Sequence, residues 1–193
     1  MRTLAVDVGN SRTKVAVCDS GDGLPTCQQF KATPNGNGLL PLALRELGVS
    51  CDRAVIAGSN HSLVARFIAD WPTGVPQPIN VTSWRQLNIK VQLSTPETTG
   101  IDRLLNAVGV TQLWPDETIV VVDAGTATTV DLVTENAFQG GAILPGLELS
   151  AQSLRDHTDA LLLVDTLELA AADIRIPAQS TQEAIEALSL IHI

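Results

Sequence analysis

The chain has no tyrosine, and aromatic residues make up only 3% of its 193 positions, so Trp71, Trp84 and Trp114 are expected to carry much of its aromatic packing. This is not a shortage of apolar side chains. At 45% hydrophobic and 17% charged, the sequence can bury the core of one large domain or two small ones. Basic residues are scarce: 12 Lys and Arg stand against 21 Asp and Glu, for a formal charge of −9, and no basic run occurs. That argues against a general nucleic-acid surface. Any phosphate the chain binds is then expected to be held by backbone amides, a metal ion and a few chosen cations. Cys18, Cys27 and Cys51 are an odd set without CxxC spacing, which suits reduced thiols in a cytosol better than a disulfide framework or a zinc site. His61, His157 and His192 likewise lack metal-ligand spacing. At the amino terminus, MRTLAVDVGN meets Asp7 after a short apolar run, so it reads as neither a signal peptide nor a membrane span. A cytoplasmic location without a membrane partner is the expectation.

What is present is a repeated spacing. DVGNSRTK (7–14) and DAGTATT (123–129) both leave an apolar strand through Asp-x-Gly, and both reach a Thr four residues after the Gly, at Thr13 and Thr129. Around them, alternation and breakers predict strands over 2–8 and 13–18 joined by a GNSR turn. A TPNGNG loop, a helix over about 39–47, a strand at RAVIAGS and a helical stripe in HSLVARFIADW follow. PINVTS and NIKVQL are strand candidates, and GIDRLLNAVGVTQLW is a helix with Leu104, Leu105, Val108 and Leu113 inward. After WPDE the order restarts with strands at TIVVVDAG and TATTVDLV, a turn at TEN, the FQGGAILPG segment and a helix over about 147–162. Its expected face is Leu147, Ala151, Leu154, Thr158 and Leu161. The repeat suggests two similar α/β lobes, 1–114 and 115–193.

Asp-x-Gly at a strand end has a chemical use. Glycine lets the backbone turn sharply and bring N–H groups up to a phosphate, and the adjoining Asn or Thr adds a side-chain donor. The carboxylate can hold a cation that neutralises phosphate charge. One such turn reads as ordinary turn formers. Two at matched spacing, each after an expected buried strand, favour a pair of hairpins clamping a nucleotide triphosphate across a cleft. The rival devices GxxxxGK(S/T) and GxGxxG are missing.

The pattern resembles the two phosphate loops of the actin, sugar kinase and Hsp70 ATPase superfamily. Within it, DVGNSRTK, TTGIDR (98–103), VVVDAGTATTVDL (121–132), GGAILPG (140–146) and STQEAI (180–185) resemble, in order and approximate spacing, the type III pantothenate kinases, over essentially the whole chain. The resemblance implies an actin-like (ribonuclease H-like) α/β fold of two similar lobes with an ATP cleft between them. It implies ATP-dependent phosphorylation of pantothenate to 4′-phosphopantothenate, the first step of coenzyme A biosynthesis, by a homodimer with the active site at its interface. Asp7, Val8, Gly9, Asn10, Ser11, Arg12, Thr13 and Lys14 would then form the ATP-phosphate loop, with Asp7 on the Mg²⁺ side. Thr126 would also bind ATP, and Asp123 would hold a monovalent cation, K⁺ or NH₄⁺. Gly100, Ile101, Asp102, Arg103 and Thr181 would contact the substrate, Asp102 being catalytic.

The residues themselves admit these roles beside plainer ones. Asp102 at a helix start can accept a hydroxyl proton, or simply favour the helix dipole. Arg103 can pair with a carboxylate, or be a solvated helix arginine. Thr181 adjoins Ser180, which with Glu183 makes an S-x-x-E capping box able to start a helix. Two features depart from the family pattern. Leu93, three residues before Pro96, stands where members usually carry a pocket Tyr, and the chain stops at EALSLIHI where members continue, so the second lobe is expected to be incomplete. The alternatives are a kinase for another small hydroxy acid and a non-catalytic accessory regulator of transcription. The lack of a basic DNA-reading helix argues against the last.

Overall fold

The computed structural model describes residues 1–21, 24–35, 51–165 and 176–191, without the side chains of 188–191. The helix expected over 39–47 lies outside the described residues. The chain separates into two compact units, residues 1–119 with 133–140 and residues 120–132 with 141–193.

In the first unit, alternation of apolar residues produces the hairpin read from the sequence. Strands β1 (Arg2–Val8) and β2 (Arg12–Asp19) pair antiparallel, from Val8 opposite Thr13 to Arg2 opposite Asp19. β3 (Thr26–Pro34) adds to β2, while β4 (Arg53–Gly58) runs parallel to β1 and β5 (Pro78–Val81) parallel to β4, giving the order β3-β2-β1-β4-β5. β1 therefore has a partner on both edges. Leu4, Val6, Val8, Val15 and Val17 share a core with Ala54, Ile56, Val64 and Trp71. Each Leu, Val or Ile of this set is worth about 1.5–3 kcal/mol when fully buried. Helix α1 (His61–Ala69) supplies Val64 and is capped by Asn60, whose side chain accepts from Leu63 N. The indole N–H of Trp71 donates to Pro76 O at 3.0 Å.

The edge strand β3 has no counterpart in the sequence reading, because it is exposed along most of its length and its short alternation is reversed, with Phe30 exposed and Thr33 buried. Across the β2–β3 ladder Cys18 faces Cys27. Burial, and then the neighbouring Cys27, pushes the Cys18 thiol up from its ordinary value, and burial does the same for Cys51. All three cysteines are free thiols.

NIKVQL contributes only the two-residue strand β6 (Lys90–Val91). Helix α2 (Ile101–Leu113) buries Ile101, Leu104, Ala107 and Thr111. Leu113, expected inward, is exposed instead, because it lies two residues past Thr111 and so about 200° around the helix. Trp114 at the helix end is exposed too, so the packing expected of the tryptophans falls chiefly to Trp71.

Strands β7 (Ile119–Ala124), β8 (Ala127–Thr134) and β9 (Ala137–Pro145) follow, and the second sheet has the order β6-β9-β8-β7. The turn at TEN places Glu135 and Asn136 at φ 53° and 55°, the left-handed pair of a two-residue hairpin. β7 was expected to be buried. It lies at the sheet edge, and Val120 and Val122 are exposed.

In the second unit α3 (Leu147–Asp156) is shorter than expected, ending where His157 N donates to Ser153 O. Leu161 nevertheless reaches the same small core from beyond the helix, beside Ala151, Leu154, Val164 and Ile185. Ile185 comes from α4 (Thr181–Ile191), which packs on α3. No helix among the described residues is long and apolar enough to cross a membrane.

Candidate active site

The first turn is built on the central strand. Val8 is fully buried, and Gly58 lies against its backbone with no room for a Cβ. Gly9 N donates to Arg12 O at 3.0 Å and closes the turn, leaving Asn10, Ser11 and Arg12 on the surface. Thr13 points inward, 1% exposed, and its hydroxyl donates to Asn35 Oδ1 at 2.8 Å. Asn35 Nδ2 donates in turn to Gly9 O and to Asn10 O, each at 2.8 Å, and Asn35 N to Ser11 O at 3.0 Å. Opposite residues Asp7 and Lys14 form an ion pair, Nζ to Oδ2, at 3.2 Å. About half exposed on each side, it positions charge more than it stabilises the fold. Asn35 was not among the residues singled out from the sequence. It belongs to a loop-like TPNGNG, where no periodic signal ties it to residue 9.

The GIDR motif, also in the first unit, starts α2. Gly100 is the N-cap, Ile101 is buried, and Asp102 Oδ1 accepts from Arg103 N at 2.9 Å. A Cβ on Gly100 would come within 2.5 Å of that oxygen, so glycine is what leaves space for the carboxylate at the helix start. The Arg103 guanidinium lies over the Phe138 ring, 5.4 Å from its centroid, a cation–π contact that fixes the side chain's direction. Leu93 approaches Gly140, where an added Cβ would meet its Cδ2 at 2.9 Å and where φ is +96°.

The second turn, in the second unit, is one residue tighter. Gly125 N donates to Ala127 O at 3.0 Å, and β8 begins there. The inward Thr is consequently Thr128, 3% exposed, and not Thr129. The matched Gly-to-Thr spacing of the sequence thus does not mark equivalent positions. GGAILPG backs this turn: Gly146 N donates to Thr126 O at 2.9 Å, and Gly146 lies so close to the backbone of Gly125 and Thr126 that a Cβ has no place. α3 starts at the next residue, which brings the positive end of its dipole to the turn. Asp123 is half-buried and Thr126 exposed. Beneath Gly141 lies Asp131, a carboxylate 2% exposed that the sequence reading passed over.

Thr181 is exposed at the first position of α4. The cap beside it is real: Ser180 Oγ accepts from Glu183 N at 3.1 Å, and Glu183 Oε2 accepts from Gln179 N at 2.8 Å. Ser180 therefore serves the helix, as its S-x-x-E spacing suggested.

Among the described residues no group of three or more His, Cys, Asp or Glu could hold a metal ion alone. Single carboxylates with hydroxyl and backbone oxygens suit hard cations completed by substrate phosphates, which is how Mg²⁺ accompanies a nucleotide. Asp7 and Asp123 are the carboxylates two residues before the glycines of the two turns.

The chain is similar to curated type III pantothenate kinases. It is 31% identical to that of Colwellia psychrerythraea, over 80% of this chain and 61% of the relative. It is 30% identical to that of Caulobacter vibrioides (81% and 63%) and 33% identical to that of Nitrosococcus oceani (97% and 71%). The chain thus spans just over three-fifths of the first two relatives' length. Among solved structures it is similar to a Campylobacter jejuni protein described as a Baf family transcriptional activator, with TM-score 0.59, 18% identity and coverage of 98% of this chain and 74% of that one. It is also similar to the ADPNP-bound activator of 2-hydroxyisocaproyl-CoA dehydratase from Clostridium difficile, with TM-score 0.53, 15% identity and coverage of 100% and 65%. These likenesses show the actin-like α/β fold. The family model for type III pantothenate kinase matches residues 3–189, and the chain belongs to that family.

Proposed function

We propose that this chain phosphorylates pantothenate with ATP, the reaction that opens coenzyme A biosynthesis. The observation that carries the reading is the first turn: a surface loop at the end of a buried central strand, its inner Thr and its backbone carbonyls held, and a Lys–Asp pair at its base. Residues 7–14 would receive the ATP phosphates, with Asp7 on the Mg²⁺ side and Lys14 adding a positive charge. Thr126 and the start of α3 would meet phosphate at the second turn, and Asp123 would take K⁺ or NH₄⁺. Bound Mg²⁺ would supply charge neutralisation on the transferred group.

At the substrate end, Asp102 accepts the hydroxyl proton as the alcohol attacks. Arg103, aimed by its stack on Phe138, pairs with the pantothenate carboxylate, while Gly100 and Ile101 shape the approach. Thr181 completes the contact set from α4. Division into lobes 1–114 and 115–193, a cytoplasmic homodimer with its active site at the interface, and no nucleic-acid or membrane partner go with this reading.

Leu93 beside Gly140 favours one second reading, a kinase for another small hydroxy acid, since an aliphatic side chain stands where members usually offer a phenol. ADP release from ATP, Mg²⁺ and K⁺ is the test. Release that depends on pantothenate supports the first reading, release with a different hydroxy acid alone supports the second, and none with either overturns both.

A further inference from the structure

We infer that Asn35 is a positioning residue that sets the direction of the phosphate-facing amides of the first turn. The carbonyls of three successive residues all turn towards it: Gly9 O and Asn10 O accept from its Nδ2 at 2.8 Å each, and Ser11 O accepts from its backbone N at 3.0 Å. In a trans peptide the C=O of one residue and the N–H of the next point to opposite sides. Pinning the carbonyls of 9, 10 and 11 on one side therefore aims the N–H groups of Asn10, Ser11 and Arg12 to the other. Successive amides aimed together make a concavity for an anion.

The residue type matters. Two carbonyl oxygens can only accept, so the NH₂ must face them, and the remaining Oδ1 accepts from the buried Thr13 hydroxyl at 2.8 Å. Asparagine alone among residues of this size donates twice and accepts once in that geometry. An aspartate would keep the bond from Thr13 but set a carboxylate oxygen against two carbonyls. The turn is thus held from β3, the strand that ends one residue earlier, and not only by the hairpin it closes.

This inference rests on the kinase reading, and the experiment separates the two. Steady-state kinetics of Asn35→Ala should show KM for ATP raised about tenfold, the combined worth of a few neutral hydrogen bonds, with KM for pantothenate unchanged. Asn35→Asp should be worse than Asn35→Ala although it is the isostere, and should remain so in about 0.5 M salt, where added charge is screened. A role in mere space filling gives the reverse order and overturns the inference, as does an unchanged KM for ATP. Should Asn35→Ala not fold, Asn35→Ser replaces it with the same split expected. Amide hydrogen exchange at Gly9 and at residue 35, whose N–H groups bond to Arg12 O and Ser11 O, in nucleotide-free protein is the independent arm. It should quicken in the variants, and unchanged exchange contradicts the inference even if the wild type releases no ADP, an outcome that sinks the kinase reading by itself.

Discussion

The turn after β1 is closed over three residues, Gly9 to Ser11, on a strand with partners on both edges, whereas the turn after β7 is closed over two, Gly125 and Thr126, on a strand at the edge of its sheet. Leu4, Val6 and Val8 beneath the first are at most 4% exposed, while Val120 and Val122 beneath the second are 61% and 50% exposed. The charges differ as well. The third residue of β2 is Lys14, paired with Asp7, and the third residue of β8 is Thr129. The first turn carries its own countercharge, and the corresponding place in the second holds a neutral hydroxyl. The monovalent cation proposed above is assigned to Asp123, since Asp7 already faces the Lys14 ammonium.

The largest effect is expected at Asp102, which lies in the same unit as the first turn. Asp102→Asn should leave folding and ATP binding intact and lower turnover by roughly 10²- to 10⁴-fold, the usual worth of a positioned general base. Steady-state ADP release measures it, and a variant within about threefold of wild type removes Asp102 from the mechanism.

A smaller difference is expected between the two strands. Leu4→Ala should cost about 2–5 kcal/mol in chemical denaturation, as buried truncations do, and Val122→Ala should stay within about 0.5 kcal/mol. Similar losses at both positions would show that β7 is as deeply packed as β1. The smallest effect concerns the thiols of the first unit. Burial raises the Cys18 and Cys51 thiols above their ordinary value, so their alkylation should be slower than that of a free thiol at the same pH and should keep accelerating past the pH at which the free thiol levels off. A plateau at the free-thiol rate would contradict the burial.

Much of this asymmetry is invisible in the sequence. LAVDVG and VVVDAG read alike because alternation records which side chains could be buried, not whether the fold supplies a layer to cover them or a neighbour for each edge. The β1–β2 hairpin and α2 were legible, since their apolar periods match strand and helix geometry. β3 was not, since its apolar side, with Phe30 on it, faces outward while Thr33 is buried, and neither was the end of α3, because Leu161 continues the apolar spacing from outside the helix. In the site, residues 9–13 and 100–103 stood out through glycine beside acid and hydroxyl. Asn35 did not, because its role comes from a ladder that brings residue 35 against residues 9–11, a contact no local pattern encodes.

The most direct test of the unequal turns is the rate of pantothenate phosphorylation in KCl against NaCl at matched ionic strength, for wild type, Asp123→Ala and Asp7→Ala. A saturable rise with K⁺ is predicted for the wild type, lost with most of the activity in Asp123→Ala and retained in whatever activity Asp7→Ala keeps. Na⁺ should replace K⁺ poorly, being smaller and more tightly hydrated. Equal wild-type rates in the two salts would contradict the account, leaving Asp123 without a monovalent cation to hold.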